Sequence, residues 1–207
     1  HCHPRGEVFE RGRVSLECRP GAAPRPLVFS VLVLDIGKPR LGTVDGDGRI
    51  RFNGHDRVGA ELTEAVMVRL RFSRAEIDAT VEAVRQHMVF KDVPKMRVAK
   101  LKRFMARPTF PDELELHRVD CASSHGMLDN YDFLLEKREE FSKEPIIPPP
   151  LVRGDDLLAL GLRAGPLFGE ILEAVETRQL EGGFASREDA LAWVKQNYFN
   201  ARGATRE

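Results

Sequence analysis

The chain has 207 residues, and its 32 Lys and Arg are matched by 32 Asp and Glu, so the formal net charge is zero. Taken whole, that balance argues against a uniformly basic nucleic-acid binder and against an acidic disordered tail. Hydrophobic residues make up 42% of the chain, and no apolar run approaches the roughly 20 residues of a membrane span, so no membrane partner is expected.

The chain opens His1-Cys2-His3-Pro4 with neither an initiator Met nor an apolar secretory segment, as a processed or trimmed product or a piece of a longer protein would. Cys2, Cys18 and Cys121 are odd in number and form no Cys-x-x-Cys pair. This points to free thiols in a cytoplasmic protein rather than to a disulfide scaffold or zinc knuckle. Residues 11–26 hold two glycines and three prolines, too many for a helix interior. The apolar run before Asp35 reads as a buried helix, and residues 49–52, after Asp45-Gly-Asp-Gly48, are the only strand-like candidate. Val58, Leu62, Val66 and Leu70 then recur at helical spacing. Ser73-Arg-Ala-Glu76 is a capping box opening a helix whose Ile77, Val81, Val84 and His87 share an inward face.

Residues 95–107 form a third predicted helix, basic at Lys95, Arg97, Lys100, Lys102, Arg103 and Arg107 around Met96, Leu101 and Phe104. Pro145-Ile-Ile-Pro-Pro-Pro150 cannot be helical and marks a boundary. Beyond it, residues 155–160 read as a short helix. Pro166 sits in the first turn of a helix that runs through Leu180 and is stopped by Gly182-Gly183, and Ser186 with Asp189 caps a last helix holding Trp193. The prediction is all-α.

Divided at Pro108, the charges separate. Residues 1–108 hold 21 Lys and Arg against 13 Asp and Glu, and residues 109–207 hold 11 against 19. Such asymmetry suits a basic face for a polyanion beside an acidic, solvated half. The basic helix 95–107 can lie against phosphates, or be a solvated face. Residues 160–169 form a Gly-rich turn feeding a helix N-terminus, which reads either as a phosphate-binding helix-hairpin-helix turn or as a plain turn packed through small residues.

A divalent ion needs several carboxylate or imidazole ligands converging from different elements, and Asp35, His55, His87 and Asp120 are the plausible set. Ser123-Ser124-His125 has no elbow glycines and no base geometry for a nucleophile.

Four stretches match a known pattern: Leu34-Asp-Ile-Gly-Lys-Pro39, Arg49-Ile-Arg-Phe-Asn-Gly-His-Asp-Arg-Val-Gly-Ala60, Leu116-His-Arg-Val-Asp-Cys-Ala-Ser-Ser-His-Gly126 and residues 157–169. They resemble, in order, the HD region and C-terminal tail of the bacterial tRNA nucleotidyltransferase/poly(A) polymerase family. The resemblance implies an HD-like helical domain over residues 1–144, atypical at 11–26, a Pro-rich linker at 145–150 and a small helical tail domain over 151–207. In the family these normally follow a nucleotidyltransferase head and neck. These 207 residues show no Gly-rich nucleotide loop, and Asp45-Gly46-Asp47, the one Asp-x-Asp, reads as a turn, so addition of CCA or poly(A) is not expected of them.

The family places a His in a Phe-Glu-His-Thr-like segment and another in a His-Asp pair. Here Arg11 follows Phe9-Glu10, and Leu34 precedes Asp35. The resemblance retains Asp35, His55, His87 and Asp120. It implies at most a metal-dependent phosphohydrolase, cleaving a phosphomonoester or cyclic phosphodiester at a site holding Mg, Mn, Ni or Zn, or else an eroded remnant that holds none. Asp35 would then be catalytic, with Lys38 or Arg57 binding the phosphate of a small phosphorylated molecule. The alternative is a noncatalytic module that binds tRNA or other RNA, or a protein, through the basic helix and tail.

Overall fold

The structure is a computed structural model that describes residues 24–124 and 126–199. The motif His1-Cys2-His3, Cys2, Cys18, the substitution at Arg11, most of the atypical stretch 11–26, and His125 lie outside the described residues. The fold is all-α, as predicted, apart from one short hairpin. Two compact units divide the chain: residues up to Lys95 together with Arg107–Arg138, and Met96–Ala106 together with residues from Glu139 onward.

In the first unit, α1 (Arg25–Val33) begins at the last two prolines of the atypical stretch. Pro24 precedes it and Pro26 lies in its first turn, where a missing N–H costs nothing. It buries Leu27, Ser30, Val31 and Val33. The chain then turns through Asp35 and Gly37 into a 3-10 turn, Lys38–Arg40. A hairpin follows, β1 (Thr43–Val44) antiparallel to β2 (Ile50–Arg51). The predicted turn at Asp45 is what closes it: the Asp45 carboxylate accepts the N–H of Asp47 at 3.1 Å and of Arg49 at 2.9 Å, and Arg51 Nε at 2.7 Å. Those donors, Arg51 first, hold the Asp45 carboxyl below its usual range.

Helix α2 (His55–Arg69) starts after Gly54, whose φ of 79° needs a residue without Cβ. Helix α3 (Arg74–Gln86) opens with the predicted capping box, Ser73 Oγ accepting from Glu76 N and Glu76 Oε2 accepting from Ser73 N at 3.0 Å. The α2/α3 interface buries Ala60, Met67, Ile77, Val81 and Val84 together with Val33, at roughly 1.5–3 kcal/mol for each fully buried large side chain. A 3-10 stretch, His87–Lys95, continues from α3. From α5 (Phe110–Ser124), Leu116 and Val119 join Leu27, Val31, Leu34 and Ala83 in a second cluster. Helix α6 (Asp129–Phe141) follows, and Asn130 Nδ2 donates to the Phe90 carbonyl at 3.0 Å.

The second unit contains α4 (Val98–Met105), α7 (Gly154–Ala159), α8 (Pro166–Leu180) and α9 (Arg187–Val194). The predicted basic helix is shorter than residues 95–107, because Arg97 is extended and serves as the N-cap. Pro166 occupies the first turn of α8, Gly182 follows its end with a φ of 75°, and Ser186 Oγ accepts from Asp189 N at 3.1 Å to cap α9. The core here is Val152, Leu157, Ile171, Val175, Ala190 and Val194. Gln179 fastens the Pro-rich segment, donating to Pro149 O at 2.9 Å and accepting from Leu151 N at 3.0 Å.

Candidate metal centre

Three elements of the first unit bring their ends together. Asp35 follows α1, His55 is the first residue of α2, and His87 begins the 3-10 stretch after α3. Gly37 makes the convergence possible, because a Cβ there would lie 2.3 Å from His55 O and 2.8 Å from Gly59 N. The turn after α1 therefore touches the start of α2 backbone to backbone, and Asp35 is carried with it.

Asp35 and His55 are buried, at 9% and 6% exposure. His55 Nε2 lies 3.0 Å from His87 Nε2 and 3.8 Å from Asp35 Oδ1. The other nitrogen of each ring faces a backbone carbonyl, His55 Nδ1 at 2.8 Å from Phe52 O and His87 Nδ1 at 2.5 Å from Val84 O. A carbonyl can only accept, so each Nδ1 carries a proton and each ring turns its Nε2 inward. Two inward nitrogens 3.0 Å apart need either a proton or a metal ion between them. Burial, and then the neighbouring His55, push His87 below its ordinary pKa, against the pull of its Val84 bond and of Asp120 and Asp35. That disfavours the proton. One donor atom from each of the three residues lies within 4.8 Å of the others. Two imidazoles with outer nitrogens anchored to carbonyls, plus a carboxylate, are a donor set that fits a divalent transition metal.

The cluster opens into a depression of about 520 Å³. Asp120, on α5, lines this depression but is not one of the three converging donors. Lys38 lines it too, with Nζ bound to Asp35 Oδ2 at 2.7 Å. Arg57 is exposed and is not part of the wall. Sequence reasoning overlooked Lys91, Arg51 and Phe52, which do line it. Arg51 and Phe52 lie at and just after β2 of the hairpin, and no spacing rule announces that they reach this wall. Leu34, at the position where a His-Asp pair would put its imidazole, is 6% exposed inside the apolar cluster of α1 and α5.

The residues proposed to face RNA have several surroundings. In the second unit, Arg103 Nε and Nη2 donate to Glu176 Oε2 at 3.1 and 2.5 Å, and Nη2 also donates to Thr177. Lys102 Nζ lies 5.1 Å from the centre of the Phe141 ring. In the first unit, Arg107 is held between Glu82 and the buried Glu113, and Lys95 lies 3.5 Å from Asp92. Arg97 and Lys100 are exposed.

Among the described residues, no helix is long and apolar enough to cross a membrane. No family model matches the chain, and no solved structure does. Three curated proteins do. An A-adding tRNA nucleotidyltransferase of Deinococcus radiodurans is 33% identical over 204 residues, 92% of this chain and 46% of that protein. A CC-adding tRNA nucleotidyltransferase of Thermus thermophilus is 35% identical over 176 residues, 83% of this chain and 40% of that protein. An A-adding tRNA nucleotidyltransferase of Halalkalibacterium halodurans is 33% identical over 79 residues. The chain is thus homologous to bacterial A- and CC-adding tRNA nucleotidyltransferases, and it spans less than half the length of these relatives.

Proposed function

We propose that the first unit is an HD-like, metal-dependent phosphohydrolase domain that cleaves a phosphomonoester or a cyclic phosphodiester. The observation that supports it is the convergence of His55 Nε2, His87 Nε2 and an Asp35 oxygen with both outer Nδ1 atoms anchored. A divalent ion held there supplies Lewis-acid polarisation of the phosphoester. Two imidazoles favour Zn, Ni or Mn over Mg. In the reaction, water adds to phosphorus and the ester P–O bond breaks. One proton of the water goes to the departing alkoxide and the other stays with the phosphate. Asp120, which lines the same depression, would take the first proton on its way to the leaving oxygen. Phe52 O and Val84 O keep the two rings from turning, so the ligand geometry is set before substrate arrives.

The test is to strip the protein of metal, titrate it with Mn²⁺, Ni²⁺ and Zn²⁺ by calorimetry, and assay p-nitrophenyl phosphate, nucleoside monophosphates and cyclic nucleotides. Metal binding and turnover are both expected to vanish in Asp35→Ala. No turnover with any metal, together with metal binding indifferent to Asp35→Ala, defeats the proposal.

A second reading, binding of tRNA, is supported by the relatives, which are tRNA nucleotidyltransferases, and by Arg97 and Lys100, which have no ion-pair partner among the described residues. Binding that weakens steeply with salt and with both residues changed to Ala supports it. Indifference to tRNA at low salt removes it.

A further inference from the structure

Three cations line the depression beside the histidine pair: Lys38, Arg51 and Lys91. Two of them are already engaged. Lys38 Nζ is 2.7 Å from Asp35 Oδ2, and its side chain is 18% exposed. Arg51 Nε is 2.7 Å from Asp45 Oδ2, the carboxylate that closes the hairpin turn. Lys91 is exposed and, among the described residues, has no ion-pair partner. It stands four residues after His87 on the same 3-10 stretch, about 8 Å along the axis at ~2 Å per residue.

An ammonium already bound to a carboxylate neutralises that carboxylate, and a phosphate must displace the pair to use it. An unpaired ammonium at the rim attracts a phosphate without such a cost. We propose that Lys91 docks the phosphoryl group of the substrate, the role that the sequence pattern assigns to Lys38 or Arg57. Lys38 instead acts on Asp35, occupying Oδ2 while Oδ1 faces His55. Arg57 takes no part in the site. The inference rests on the phosphohydrolase reading above and adds to it the group that binds the reacting anion.

The experiment uses the metal-loaded protein, with p-nitrophenyl phosphate as substrate and inorganic phosphate as competing anion. Lys91 is exposed and makes no ion pair, so Lys91→Ala should fold as the parent does, which circular dichroism checks. In Lys91→Ala, KM for p-nitrophenyl phosphate and the inhibition constant of phosphate should each rise about tenfold or more, while the metal affinity by calorimetry stays as in the parent. Lys91→Arg should recover most of the loss. Arg57→Ala should match the parent in all three. Unchanged KM and phosphate inhibition in Lys91→Ala, in a protein that turns over, overturn the role of Lys91 and leave the phosphohydrolase reading standing. If the parent neither hydrolyses the substrate nor binds phosphate with any of the metals, both fall together.

Discussion

The two units are built to different rules. Among the described residues, the buried polar side chains are Ser30, Asp35, His55, Thr63, Thr80 and Glu113, and all six lie in the first unit. The core of the second, around Leu157, Ile171 and Val175, is apolar throughout, and Arg103 with Glu176 and Arg187 with Asp156 make their ion pairs outside it. Burying a polar group costs free energy unless it is satisfied, so a unit that keeps several is organised around more than packing. In the first unit Asp35 and His55 form the candidate metal centre, Glu113 anchors an ion-pair network, and Ser30 and Thr80 bond back to the carbonyls of Pro26 and Glu76.

The contrast is most easily broken at Arg107. Its guanidinium meets Glu113, 2% exposed, which also accepts from Thr109 at 2.7 Å. Burial pushes the Glu113 carboxyl above its ordinary range, with Thr109 and Arg107 pulling the other way. Arg107→Ala should destabilise the protein by about 3–5 kcal/mol in urea unfolding, because it leaves the acid without its cation. The loss should grow with pH. A carboxyl with a raised folded-state pKa holds a proton that the unfolded chain has already released, so stability falls as pH rises through the folded value. A loss that is flat in pH, or below about 1 kcal/mol, removes Arg107 as the keystone of this network.

In the second unit, Leu157→Ala should cost about 2–5 kcal/mol by opening a cavity in an apolar core. Metal titration of the first unit should not change. If it does, the two units are coupled more closely than their separate cores imply.

Gly37→Ala tests the turn that brings Asp35 to His55. A methyl group cannot fit 2.3 Å from His55 O, so the start of α2 must shift away. Metal affinity is expected to fall about tenfold by calorimetry, the scale of disturbing the groups that orient metal ligands.

The smallest effect has the opposite sign. Among the described residues, Thr63 Oγ1 is buried without a hydrogen-bond partner. Thr63→Val keeps the shape and removes the unsatisfied oxygen, and should stabilise by about 1 kcal/mol in the same urea experiment.

Much of the fold was legible because its signals are local. The Ser73/Glu76 capping box, Pro166 at the start of α8, the Ser186 cap and the Asp45 turn each join residues within a few positions, and each occurs where the pattern puts it. The site was legible as a list of candidates and not as an arrangement. His87 was expected on the inward face of a helix, and it lies at the helix's end, where a 3-10 stretch aims its ring at His55. The ion pairs of Arg103 with Glu176 and of Arg107 with Glu82 and the buried Glu113 had no signal in the sequence, because those acids are distant in the chain or themselves buried.

By itself, then, the sequence determined the all-helical class, several helix caps, the turn at Asp45, and the residues from which a metal site could be drawn. These depend on backbone restrictions and hydrogen bonds a turn or less in range. The two helices at Phe110–Ser124 and Asp129–Phe141 and the late start of the basic helix at Val98 emerged only in the structure. Tertiary structure alone decided that Asp35, His55 and His87 converge while Asp120 stands in the wall, that Lys38 is paired with Asp35, and that Lys91 rather than Arg57 lines the depression. Those outcomes depend on the close crossing at Gly37 and on which charges find partners across the fold, and neither is encoded in the spacing of neighbours along the chain.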